Sequence, residues 1–166
     1  PGPIERVLEA CVAGGVFPGA VLRVSRGKEL LYNAAFGSRS LEPETTPMQA
    51  DTIFDLSSLT KPLATTTAIM LLVREGKLRL DDRVTRFFPN FGVHGKIQVS
   101  IRSLLAHCSG LAGWKAFHKD IVRVEKQGRV SFVASKGAKE WVIEHICRDK
   151  LEYPTGSKSV YSDLGF

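Results

Sequence analysis

Two short segments hold the residue types from which nucleophilic catalysis is built: Ser58-Leu59-Thr60-Lys61 and Tyr161-Ser162-Asp163. A free serine hydroxyl is a poor nucleophile, and a free lysine with a pKa near ~10.4 is almost wholly protonated at neutral pH. The pair therefore needs burial or a third group. Spaced i, i+3 on a helix, the serine and the lysine share one face. At the start of that helix, unpaired N–H groups and the positive end of the dipole favour a developing oxyanion. A tyrosine held beside the lysine ammonium has its phenol pKa lowered, which lets it exchange protons with the serine. Tyr161 heads the one Tyr-x-Asp of the chain.

The pattern Ser-x-x-Lys is weak alone, because 13 Ser and 11 Lys in 166 residues give about one match by chance. Ser25-Arg26-Gly27-Lys28 also matches but falls on a hairpin turn facing water, and it is set aside. The plain alternatives are an N-cap for Ser57 or Ser58, a solvated first-turn residue for Lys61, and a core aromatic for Tyr161. His107 invites a Ser-His-Asp reading but sits where a helix ends. Asp81-Asp82 reads as a cap or a solvated pair. His118 and His145 lack ligand-spaced partners, and Cys11, Cys108 and Cys147 are widely spaced and odd in number. No metal, no cofactor and no disulfide framework is expected.

The elements that must position these residues follow from hydrophobic spacing. Ile4, Val7, Leu8, Cys11 and Val12 predict an amphipathic helix, ended by Gly14-Gly15. Residues 20–25 and 29–36 predict a hairpin around Gly27, followed by a surface loop over 37–51. Residues 59–75 predict the longest apolar helix, with Pro62 in its first turn, Gly76 as its stop and a buried setting. Ser100 predicts the cap of a short helix ending near His107, and residues 138–150 predict a further helix bearing Trp141, Val142, His145 and Ile146. The order predicts an α+β fold, divided into residues 1–56 and a mostly helical 57–166.

Composition excludes other classes. With 43% hydrophobic and 24% charged residues the chain is an ordinary globular sequence. Its longest apolar run, residues 68–73, is far short of the ~18 to 20 residues that cross a bilayer. The net charge is +6. Its excess is concentrated between Lys115 and Lys150, with signs alternating and no aromatic ladder, so no nucleic-acid partner is expected.

Taken together, Phe17-Pro18-Gly19-Ala20, residues 53–62, Leu104-Leu105-Ala106-His107-Cys108-Ser109-Gly110-Leu111 and Tyr161-Ser162-Asp163-Leu164-Gly165-Phe166 resemble, in order, the serine β-lactamase and penicillin-binding-protein superfamily, on its class C and esterase-like branch. The resemblance implies a β-lactamase/transpeptidase-like fold, an antiparallel sheet flanked by helices with a helical subdomain. It implies Ser58 as the acylated nucleophile, Lys61 as its proton-relay partner and Tyr161 as the second acid/base group, with His107 structural. Asp163 stands at a substrate-binding position where many relatives have Asn. An acid there would hold Lys61 protonated and shift the base role toward Tyr161.

Relatives carry a later strand with Lys/His-Thr/Ser/x-Gly, which supplies a second oxyanion donor. The only Lys-x-Gly here, Lys126-Gln127-Gly128, comes too early, so the sequence resembles the N-terminal half or so of such an enzyme. The expectation is an incomplete domain of a serine acyl-hydrolase acting on a small ester, amide or β-lactam. The rest of the sheet would come from a C-terminal half or a second polypeptide. The alternative is a penicillin-recognising or catalytically silent binding module of the same fold.

Overall fold

The computed structural model describes residues 2–127 and 132–166, so Gly128 of the early Lys-x-Gly lies outside the described residues. The chain divides into two compact units, Pro1–Leu56 and Ser57–Phe166.

In the first unit, helix α1 (Pro3–Ala13) precedes strands β1 (Gly19–Arg26) and β2 (Glu29–Ser40), which pair antiparallel through a tight turn at Gly27. The Tyr32 hydroxyl donates to Glu5 Oε1 at 2.8 Å, tying β2 to α1. Gly19 and Gly37 face each other in the ladder. Gly37 has φ +68°, and a Cβ there would stand 2.3 Å from the Pro18 carbonyl oxygen, so only glycine fits. The predicted loop over 37–51 needs correction. Strand β2 continues to Ser40, and a two-residue strand β3 (Thr46–Pro47) pairs back on it, making a three-stranded antiparallel sheet. Pro47 betrays no strand in sequence, yet it is tolerated on an edge where its missing N–H is not required.

The second unit begins with one 3-10 turn (Ser57–Leu59), a wider π turn (Lys61–Thr66) and α2 (Thr67–Arg74). The helix is where the spacing predicts it, and Gly76 ends it at φ +69°. Its predicted burial is wrong. Leu63 is 58% exposed and Met70 64%, and no residue of α2 is buried. Apolar periodicity reports the face a helix offers, whereas burial needs a second element on that face.

The core lies further on. Val84, Phe91, Val99, Leu111 and Cys147 form it, flanked by Ile101, Leu104, Ile143, Ile146, Leu151 and Leu164. Short 3-10 turns at Val84–Arg86, Pro89–Gly92 and Lys96–Gln98 bring the first three together. An antiparallel bridge between Arg83 and Ser100 closes this stretch. Helix α3 (Ile101–Leu105) is capped by Ser100, whose hydroxyl accepts from the Ser103 N–H. Helices α4 (Phe117–Lys126) and α5 (Lys136–Arg148) follow, and α5 sends Ile143, Ile146 and Cys147 into the core. Lys96 is fully buried, its ammonium donating to the carbonyl of Asp149, just beyond α5. Among the described residues no helix is long and apolar enough to cross a membrane.

Candidate functional site

Ser58 sits in the 3-10 turn at the head of the π turn and α2, and Lys61 follows as the first residue of the π winding. Pro62 is accommodated because first-turn residues need no intrahelical donor. Ser57, just before Ser58, has φ +44°, a left-handed conformation uncommon outside glycine. Such backbone outliers cluster at functional sites.

The Lys61 ammonium donates to Asp163 Oδ1 at 2.6 Å and to Ser58 Oγ at 3.4 Å. The second distance is at the outer limit of a hydrogen bond. The same ammonium lies 4.9 Å from the ring centroid of Tyr161. The lysine side chain is only 16% exposed, while the Asp163 side chain is 45% exposed. The hydrogen bond from Lys61 to Asp163, and next its contact with the Tyr161 phenol, raise the lysine pKa above its ordinary value. Tyr161 moves the opposite way. Its phenol is lowered first by hydrogen bonding to Lys61 and then to Ser58. The lysine is thus a fixed cation that favours a phenolate beside a hydroxyl.

The segment carrying Tyr161 and Asp163 is held by the stretch after α3. The N–H of Val160 donates to the His107 carbonyl at 2.8 Å, that of Ser162 to His107 Nδ1 at 3.1 Å, and that of Asp163 to the Gly113 carbonyl at 2.8 Å. The Ser162 hydroxyl points inward, is 1% exposed with its residue, and donates to the Ala112 carbonyl at 2.7 Å. At Gly113 a Cβ would stand 3.0 Å from the Tyr161 carbonyl oxygen, a tight contact that a side chain there would press against.

Ser58, Lys61, Tyr161 and Asp163 are therefore brought together. His107 lies beside Tyr161, at 4.6 Å between rings, while the other candidates are engaged elsewhere. Asp81 pairs with Arg102 at 2.8 Å, and Asp82 pairs with Arg86 while accepting from the Arg79 N–H. His145 stacks on Trp141 at 3.6 Å, and His118 lies near Trp114. Among the described residues, no cluster of three or more His, Cys, Asp or Glu is arranged for a metal ion. Cys147 is a core residue. Sequence reasoning missed Ser162 and Gly113 as the parts that hold the site, since nothing in Gly-Leu-Ala-Gly announces a contact fifty residues on.

Residues 4–166 match the family described as Beta-lactamase. The chain belongs to the β-lactamase family, and its fold is the β-lactamase/transpeptidase-like one. It is 32% identical to an N-acetylmuramyl-L-alanine amidase of Bacillus subtilis, across 98% of this chain and 38% of that protein. It is 42% identical to Esterase EstB of Burkholderia gladioli over 100 residues, covering 58% of this chain and 25% of the esterase. The octameric penicillin-binding protein homologue from Pyrococcus abyssi superposes with a TM-score of 0.73 at 25% identity, covering 98% of this chain and 36% of that one. The chain thus spans roughly a quarter to two fifths of these relatives.

Proposed function

We propose that this chain carries the nucleophile-bearing part of a serine acyl-hydrolase acting on a small ester, amide or β-lactam carbonyl, and that Ser58 is the residue acylated. The observation that carries the reading is the Lys61 ammonium, fixed to Asp163 at 2.6 Å and reaching Ser58 Oγ at 3.4 Å. The relatives named amidase, esterase and penicillin-binding protein support hydrolytic chemistry of this kind.

In this reading Tyr161, as phenolate, takes the proton from Ser58 Oγ while the oxygen bonds to the substrate carbonyl carbon. Lys61 stays protonated and offsets the charge on the phenolate and then on the oxyanion. The Ser58 N–H is assigned as one oxyanion donor, and the second belongs to the later strand of the relatives. Collapse of the tetrahedral adduct expels the leaving group, which takes the proton from Tyr161 and leaves an acyl ester on Ser58. Water, deprotonated by Tyr161, then adds to the acyl carbon. The adduct collapses by breaking its bond to Ser58 Oγ, which takes the proton back from Tyr161 as the acid leaves. Asp163 takes the substrate-binding position and fixes Lys61 as a cation.

The test is labelling of the protein expressed from its full coding sequence with a fluorophosphonate and with a β-lactam, followed by peptide mapping. Modification at Ser58, abolished in Ser58→Ala, is expected. Labelling at Ser57, or undiminished labelling in Ser58→Ala, overturns the assignment. Stoichiometric acylation without turnover selects the second reading, a penicillin-recognising module in the same cleft.

A further inference from the structure

His107 follows the end of α3 and has φ +54°. A residue that only terminates a helix in the left-handed region is best supplied by glycine, which has no Cβ to clash there. Histidine enters this region more readily than most side-chain-bearing residues but less readily than glycine. Backbone and side chain do separate work here. The carbonyl accepts from the Val160 N–H at 2.8 Å and from the Tyr153 hydroxyl at 3.4 Å. The imidazole accepts the Ser162 N–H on Nδ1 at 3.1 Å. Its ring lies 4.6 Å from the Tyr161 ring at 33° and 5.0 Å from the Phe166 ring at 34°.

A backbone N–H can only donate, so Nδ1 must hold a free lone pair and the ring proton sits on Nε2. The imidazole therefore grips both sides of one peptide unit: the ring of Tyr161 by its face, and the amide that follows Tyr161 by its lone pair. We propose that His107 is a positioning residue that sets the phenol of Tyr161 against Lys61 and Ser58, by accepting the Ser162 N–H and by stacking on the tyrosine ring. The proposal rests on the reading of Tyr161 as the acid/base group at Ser58. The lowered phenol of Tyr161, whose largest cause is its hydrogen bond to Lys61, depends on the orientation that this grip maintains. Displacing a reacting group by about 1 Å costs up to ~100-fold in rate.

The test uses the protein from its full coding sequence, with His107→Gly, His107→Phe and His107→Asn compared with wild type. Glycine removes the side chain and relieves the backbone. Phenylalanine keeps a ring for stacking but no acceptor. Asparagine tolerates the left-handed conformation and offers Oδ1 in place of Nδ1. Three measurements are made: thermal unfolding, tyrosinate absorbance on titration with the Tyr161→Phe curve subtracted, and kcat and KM for p-nitrophenyl acetate. We expect His107→Gly and His107→Phe to shift the Tyr161 titration upward toward that of an ordinary tyrosine. They should lower kcat by about tenfold or more with little change in KM, while His107→Asn recovers most of both. A His107→Gly protein that titrates and turns over like wild type overturns the proposal, as does a His107→Phe protein that does so. Should His107→Gly fail to fold, the phenylalanine and asparagine pair decides. If Tyr161→Phe retains full turnover, the base assignment has failed, and the titration in the His107 variants still decides the positioning.

Discussion

Lys61 and Asp163 meet at 2.6 Å across 102 residues of chain, and the same ammonium reaches back 3.4 Å to Ser58, three positions earlier. The carboxylate stabilises the charged lysine, and the proposed mechanism accordingly keeps Lys61 protonated. In the proposed mechanism the hydroxyl proton passes to Tyr161, whose phenol pKa the lysine lowers.

Removing either cation or phenol should therefore cripple turnover without unfolding the protein. Lys61→Met and Tyr161→Phe, in the protein from its full coding sequence, are each expected to lower kcat by ~100-fold or more. Steady-state kinetics beside circular dichroism check this. Near-wild-type kcat in either variant would remove that residue from the relay.

The pH dependence carries a sign. In the proposed mechanism Tyr161 acts deprotonated, so kcat/KM is expected to fall as pH drops through its lowered pKa. Asp163 opposes this lowering, since its negative charge disfavours the phenolate. Asp163→Asn removes that charge, and the acid limb of kcat/KM should move to lower pH. A limb that stays put or moves upward would mean that the lysine, freed of its carboxylate, has taken over the base role.

Gly110 is a point of steric intolerance next to the site. It has φ +93°, and a Cβ would stand 2.3 Å from the Tyr153 carbonyl oxygen. Gly110→Ala must move that backbone as well as adopt a disfavoured conformation, which costs on the order of 1–3 kcal/mol or more. A thermal melt should show a clear drop in Tm. An unchanged melt would mean that the 110 and 153 segments separate at no cost.

Expressed alone, residues 1–166 expose Leu59, Leu63 and Met70, each more than half accessible. We expect this polypeptide to self-associate and to hydrolyse p-nitrophenyl acetate no faster than its Ser58→Ala variant. Analytical ultracentrifugation and rate assays test this. A monomer with Ser58-dependent turnover would show that the site needs no further strand.

Much of the fold is legible where a period runs long enough to read. Ile4 to Val12 repeats at helical spacing over about two and a half turns, and α1 is found there. The hairpin is legible because Gly27 punctuates two β-prone runs. The core stretch from Val84 to Val99 is not, because its 3-10 turns of three or four residues are too short to display a period. Lys96 could not be read as buried, since a lysine goes inside only when a particular carbonyl awaits it. Helix α4 is legible only as part of a mostly helical second half, since its N-cap residue makes no side-chain hydrogen bond. Of the site, Ser58 and Lys61 are legible through local spacing. That Tyr161 and Asp163 join them is a long-range contact that their own segment reveals only in company with the other motifs.

The inward turn of Ser162 sets a rule of parity. Tyr161 and Asp163 both reach Lys61 while the residue between them faces the Ala112 carbonyl. These three side chains alternate sides, and an added residue advances a chain by at most ~3.3 to 3.6 Å. A one-residue insertion or deletion here would exchange outside for inside, burying a carboxylate or a phenol where a small hydroxyl now fits. An insertion of two would restore the facing but carry one group up to ~7 Å along the chain, beyond the lysine's reach. The motif therefore specifies a length as strictly as it specifies its lettered positions, and its unlettered middle position is reserved for a side chain small enough to vanish into the wall.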